Sequence, residues 1–350
     1  MKTEFKEIQT VTKLITSLII TLLILVIMMG TTVSILYIKP TFFSDLIKNK
    51  ANSAIVNKIE KSVLFWKAPE ANNIPATPAG DEIRYGRELI IHTAEYLGPK
   101  GKVLSISNGM NCQNCHLEAG TKVFGNNYSA VASTYPKFRA RSGSEETIEK
   151  RVNDCFERSL NGKPLAENSK EMKAIVAYIH WLGNEVPKGE VPKGAGLVEL
   201  SYLDRAADPI KGKILYEAKC TVCHGTDGQG IMNKDGNAWT YPPLWGKNSY
   251  NDGAGLFRLS RFAGYIKANM PLGATHETPL LTDEEAWDIA AYVNDMDRPK
   301  MDISKDWPDI SKKPIDHPFG PFADGFNEKE HKFGPYQSIM SKRKEVLGKK

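Results

Sequence analysis

Two copies of Cys-x-x-Cys-His fix what this 350-residue chain can become. They stand at Cys112-Gln-Asn-Cys115-His116 and Cys220-Thr-Val-Cys223-His224. This pattern is the attachment site of a c-type haem: two thiols a turn apart bond the porphyrin, and the next histidine becomes an axial ligand of the iron. A zinc half-site or a thioredoxin-like pair also uses Cys-x-x-Cys, but neither calls for a repeated trailing histidine. The chain therefore reads as carrying two covalently bound haem c groups. Four of the five cysteines are thereby used, which leaves Cys155 as an odd thiol needing its own explanation.

The segments around the two motifs form an internal repeat. Each motif is preceded by a helix with a glycine, Gly86-Arg-Glu-Leu or Gly212-Lys-Ile-Leu, and followed by an aromatic-bearing helix. Those final helices hold Met172-Lys-Ala-Ile-Val-Ala-Tyr-Ile-His-Trp-Leu and Ala286-Trp-Asp-Ile-Ala-Ala-Tyr-Val, the second opened by a Thr282…Glu285 capping box. The expected fold is all-α: two tandem class I cytochrome c domains, an N-terminal transmembrane helix and an extended C-terminal tail. The boundaries are 1–38 for a cytoplasmic tail and anchor, 39–80 for a stalk, and 81–190 for the first haem domain. A linker over 191–209, the second haem domain over 210–298 and a strap over 299–350 complete the chain. The first helix is expected over Asp81–Leu97, with Pro78 and Gly80 in the linker.

Leu14 to Ile38 contains no charged residue and is long enough to cross a hydrocarbon core of about 30 Å as a helix. Lysines flank both ends, so charge does not orient it. Haem attachment does, placing the haem domains in the periplasm of a bacterium and the anchor in its inner membrane. The formal net charge of +5, without a basic helix interleaved with aromatics, excludes a nucleic-acid partner and suits a small anionic substrate or an acidic redox partner.

Each iron needs a distal ligand. In the second copy Met270, before Pro271 and ahead of the last helix, is the natural thioether. Counted back from the final-helix tyrosine, the separation of Met270 from Tyr292 nearly equals that of Cys155 from Tyr178. The odd cysteine falls where the first distal ligand belongs. Arg151 and Arg158 flank it and favour the metal-binding thiolate. Met172 lies in a core stripe, and Met110 is on the wrong side of its own haem.

Taken together, Asn111–His116, Phe124-Gly-Asn-Asn-Tyr128, Tyr135-Pro-Lys-Phe-Arg139, Arg151–Ser159, Ala268-Asn-Met-Pro-Leu272, Asp316-His-Pro-Phe-Gly-Pro321 and His331-Lys-Phe-Gly-Pro335 resemble the di-haem thiosulfate dehydrogenase (tetrathionate-forming) family. The resemblance implies that His116 and Cys155 hold an active-site haem, and His224 and Met270 an electron-transfer haem. It implies oxidation of two thiosulfates to tetrathionate, or the reverse. Arg141 and Arg151 stand where the family places active-site arginines, while Lys137 and Arg139 read as partners of haem propionates. Asn269 stands where some members carry a ligand-exchanging lysine. Electrons would pass to an external c-type cytochrome or a terminal oxidase. The competing functions are a tethered electron carrier and a partner-dependent sulfur transferase, with a di-haem peroxidase the weakest.

Overall fold

The computed structural model describes residue 13, residues 15–29 and residues 64–347. The chain divides into two units, one ending at Leu64 and one running from Phe65. In the first, residues 15–29 are helical, with Leu18, Leu22 and Leu25 exposed. Among the described residues no helix is long and apolar enough to cross a membrane. The rest of the expected anchor and most of the expected stalk lie outside the described residues.

The second unit holds two helical domains built on one plan. In the first, α1 (Pro78–Ile91) crosses α3 (Lys170–Leu182), with α2 (Ile148–Asp154) between them in sequence. In the second, α4 (Pro209–Lys219) crosses α6 (Asp283–Asp295), with α5 (Leu259–Asn269) in the place of α2. Glycine makes each crossing close. A Cβ on Gly86 would fall 1.9 Å from the Ala174 carbonyl oxygen, and one on Gly212 would fall 1.8 Å from that of Asp288. The repeat-related tyrosines meet the same two glycines, Tyr178 Cβ at 2.9 Å and Tyr292 Cβ at 2.8 Å. Only a hydrogen side chain leaves the helices this near.

The boundary of α1 differs from the sequence expectation. It starts at Pro78, because Thr77 caps it through Gly80 N–H and proline is favoured in the first turn. It breaks at His92, and a short helix, Thr93–Leu97, resumes. The break serves the first motif: Thr93 Oγ1 accepts from Cys112 N–H at 2.9 Å, and Asn111 Oδ1 accepts from Ala94 N–H at 2.8 Å. The capping box of α6 forms, Glu285 N–H donating to Thr282 Oγ1 and Thr282 N–H to Glu285. Met172 and Met110 are core residues, 0% and 2% exposed.

Two small antiparallel hairpins interrupt the helical plan: β1 (Lys137–Arg139) with β2 (Ser144–Glu146), and β3 (Ile231–Met232) with β4 (Trp239–Tyr241). Strands of two or three residues show no alternation that a sequence reading could use.

The tail also corrects the expectation of an extended strap. It ends in two helices, Glu328–Phe333 and Tyr336–Leu347. Tyr336 and Ile339, one turn apart, are buried in the core of the second domain. The extended part is fixed by ion pairs. Arg158 makes a bidentate pair with Asp306, 2.8 Å on each arm, and Arg258 Nε donates to Asp316 at 2.9 Å. Burial pushes the Asp316 carboxyl up, but Arg258 and Ser260 hold it below the usual carboxylate range. A carboxylate so depressed stabilises the fold above its unfolded pKa of about 4, and that contribution fades as pH falls through the folded value. Asp316→Asn is expected to cost roughly 3 kcal/mol at pH 7, as for one partner removed from a buried pair. Denaturant unfolding at pH 7 and near pH 3 checks this: the gap to the unmodified chain narrows in acid, and an equal gap at both contradicts it.

Candidate functional site

Both motif histidines are oriented alike by unrelated loops. His116 Nδ1 lies 2.5 Å from the Asn126 carbonyl oxygen, and His224 Nδ1 lies 2.9 Å from that of Pro242. An Nδ1–H given to a carbonyl leaves Nε2 free to face a metal, the usual arrangement of a ligating histidine. Tyr128 stacks on the His116 ring at 4.5 Å. The Phe124–Tyr128 motif is thereby explained: it supplies the carbonyl and the stacking ring. Neither thiol pair gathers the third and fourth donors that zinc requires, since no group of three or more His, Cys, Asp or Glu converges among the described residues.

In the second domain a cavity of about 590 Å³ is lined by Cys220, Cys223, His224 and Met270. Histidine and methionine thus face one largely apolar space of the size a porphyrin needs. The cavity also reaches Asn111, Asn114 and Cys115 of the first motif. Asn269 is spent on the domain boundary, its amide donating to the Phe124 carbonyl at 3.0 Å.

In the first domain α2 begins at a Thr147 cap and ends at Asp154, where the chain widens into a π turn, Cys155–Ser159. Leu160 N–H reaches back to the Cys155 carbonyl at 2.9 Å. Such insertions recur at functional sites because they re-aim one side chain without ending the helix. Cys155 is re-aimed here. One turn earlier, Arg151 Nη1 donates to its Sγ at 3.2 Å. Burial pushes the thiol up, but Arg151 and the adjacent His116 imidazole pull it below its ordinary value, to about 6. The odd cysteine and the first motif's histidine therefore lie together, with a guanidinium on the sulfur.

The other sequence candidates stand around this pair. Arg141 is paired with Asp154, which also accepts from Lys150 at 2.5 Å. Arg141 thus binds the residue next to Cys155 without touching the sulfur among the contacts described. Lys137 and Arg139 lie on β1. Glu146, 1% exposed, was missed by sequence reasoning: its Oε2 is 3.9 Å from Arg139 Nε, and neither of its oxygens is hydrogen-bonded. Nothing in a Ser-Glu-Glu run distinguishes it from a solvated pair.

Comparison with known proteins bears on these pockets. A family profile described as the SoxA/TsdA cytochrome c domain matches residues 104–187, and one described as cytochrome c matches 210–297. A thiosulfate dehydrogenase of Psychrobacter arcticus is 40% identical, over 69% of this chain and 71% of its own. This chain belongs to the thiosulfate dehydrogenase family. A thiosulfate dehydrogenase of Allochromatium vinosum is also 40% identical, over 69% of this chain and 87% of its own. The solved structure of a thiosulfate dehydrogenase (TsdBA) from Marichromatium purpuratum is similar, with a TM-score of 0.63 and 32% identity over 71% of this chain. The match spans about half of that longer chain, 52%. The family chain has two tandem cytochrome c domains with two covalently bound haem c groups, and it is an oxidoreductase acting on sulfur compounds. Cys112, Cys115 and His116 fit one haem, and Cys220, Cys223 and His224 fit the other.

The shared cavity of His224 and Met270 generates a direct expectation. Met270→Ala retains two haems per chain, because the thioethers remain, and lowers the midpoint potential of one of them. A spectroelectrochemical titration checks this, and two unchanged potentials would rule out the thioether ligand.

Proposed function

We propose that this chain oxidises two thiosulfates to tetrathionate at Cys155, or runs the reverse reduction; His116 and Cys155 would hold the first haem, and His224 and Met270 the second. The observation that carries the reading is the Arg151–Cys155 contact beside His116. When bound, the two haems supply one-electron acceptors, and thiolate against thioether ligation sets the first below the second, so that electrons leave through the second domain.

The chain's own residues account for the rest. Arg151 offers a planar fork of donors to a sulfonate and holds the sulfur beside it as thiolate. The Cys155 thiolate attacks the sulfane sulfur of a first thiosulfate, giving Cys–S–S–SO₃⁻ as two electrons leave. A second thiosulfate attacks that sulfane sulfur, releasing tetrathionate and restoring the thiolate, by the logic of thiol–disulfide exchange. Charge balances at each step and no proton moves. Arg141, through Asp154, keeps the end of α2 in place and adds positive charge near the site.

Electrons pass on to an external c-type cytochrome or a terminal oxidase. The apolar stretch 14–38 tethers the chain to a bacterial inner membrane, with the haem domains in the periplasm.

The test is steady-state turnover of the purified chain bearing both haems, with ferricyanide as acceptor. Two thiosulfates consumed per tetrathionate formed is the expected stoichiometry. Cys155→Gly is expected to lose turnover while keeping both haems. Appreciable activity in that variant overturns the nucleophile, and no turnover by the unmodified chain points to a plain electron carrier or a partner-dependent transferase.

A further inference from the structure

The π turn that carries Cys155 is not completed by its own domain. The last carbonyls of a helix have no partner within it, and a buried one left unpaired is costly. The carbonyls in question run from Cys155 to Arg158. Leu160 N–H donates to that of Cys155 at 2.9 Å, and Gly162 N–H to that of Phe156 at 2.8 Å. The other two accept from one residue of the second domain. Asn251 Nδ2 donates to the Glu157 carbonyl at 2.8 Å, and Asn251 N–H to the Arg158 carbonyl at 3.0 Å. The same amide reaches Asn161 Oδ1 at 3.0 Å, and Asn251 is 3% exposed. Its loop is built into the first domain, since Tyr250, Ala254 and Phe257 belong to that domain's core.

The tail closes the turn from another side. Buried Arg158, within the π turn, takes Asp306 at 2.8 Å on each arm, and its Nη1 also donates to the Gly253 carbonyl at 3.2 Å. Trp307, next in the tail, donates its N–H to the Arg141 carbonyl at 2.7 Å, and Arg141 returns to Asp154 through their ion pair. Asp154, Cys155, Arg158, Asp306, Trp307 and Arg141 thus stand on one closed ring of chain, ion pairs and hydrogen bonds. The thiol is on that ring. Its sulfur and the Arg151 guanidinium, 3.2 Å apart, ride on consecutive turns, so a shift of the π turn moves one against the other.

We propose that Asn251 and Asp306 are positioning residues for the reaction: the second domain and the tail hold the π turn so that the Cys155 sulfur stays against Arg151. The inference rests on Cys155 being the reactive group. Neither residue touches the sulfur, and each acts through the turn that bears it. The first domain then supplies the reacting side chains but is not competent without the other two segments.

Asn251→Asp and Asp306→Asn, each in the full chain with both haems, test this. The first turns a donor facing the Glu157 carbonyl into an acceptor, and the second removes the charge that Arg158 grips. In each, kcat for thiosulfate is expected to fall about tenfold or more, as misplaced reacting groups do, with KM little changed. The electron paramagnetic resonance signal that depends on Cys155 is expected to broaden or split, while the potential of the second haem stays as it is. Asp316→Asn is the control. It loosens the same tail through Arg258, and is expected to leave both kcat and the Cys155 signal as in the unmodified chain. A kcat or a signal unchanged in both variants overturns the inference. An equal loss in Asp316→Asn also overturns it, because the effect is then a general loosening of the tail. Should neither variant fold, Arg158→Lys, which keeps the charge and loses the fork, decides by the same readings. If the unmodified chain shows the Cys155 signal but no turnover, the proposed reaction fails and the signal alone decides the positioning. Absence of that signal from the unmodified chain removes Cys155 from the site, and the inference with it.

Discussion

A buried thiol next to a guanidinium organises the first domain. Burial alone makes a cysteine inert, since the thiolate is the form that loses most on leaving water. Arg151 Nη1 at 3.2 Å, together with the His116 imidazole, reverses that balance. The arrangement is local. Thr147 starts α2, Arg151 sits one turn before the sulfur, and the π turn over Cys155–Ser159 aims it. Asp154 ties the helix end to Arg141 and Lys150, and Arg158 clamps the following turn to Asp306 in the tail. The C-terminal segment thus braces the helix end that carries the reactive group.

The second domain repeats the scaffold but not this device. Its crossing helices meet at Gly212 as the first pair meet at Gly86, and its histidine is held by a carbonyl in the same way. Where the first copy sets a thiol among arginines, the second presents Met270 to a mostly apolar cavity. One inherited plan supports two chemistries because the ligand loop between α4 and α6, or between α1 and α3, varies without disturbing the crossing. The copies are then coupled through one face of α5, which touches the first motif with Tyr265 and reaches Met270 immediately after Asn269.

What the sequence made legible were features encoded locally: the motifs, the capping box at Thr282, the small residue at each crossing and the register from final-helix tyrosine to distal position. That register brought out Cys155 with no contact known. Less legible was whatever depends on which chain segments meet. The start of α1 was misplaced because Pro78 breaks a helix interior but opens a first turn equally well. The tail helices were missed because Tyr336 and Ile339 look like strap residues until the second core is there to receive them. Asn126 and Pro242 act through backbone carbonyls, which no side-chain pattern reveals. Tyr265 and Asn269 were not singled out as a pair, because nothing in the chain announced that this face of α5 meets the other domain.

The account depends most on Cys155 being a thiolate directed at the first haem. The most direct measurement is the electron paramagnetic resonance spectrum of the oxidised protein, compared with that of Cys155→Gly. Two low-spin signals are expected, one with the narrow spread of g values of a thiolate-ligated haem and present only with Cys155. A spectrum unchanged by loss of the cysteine would contradict the account, leaving Arg151 and its neighbours without the reactive group they are arranged around.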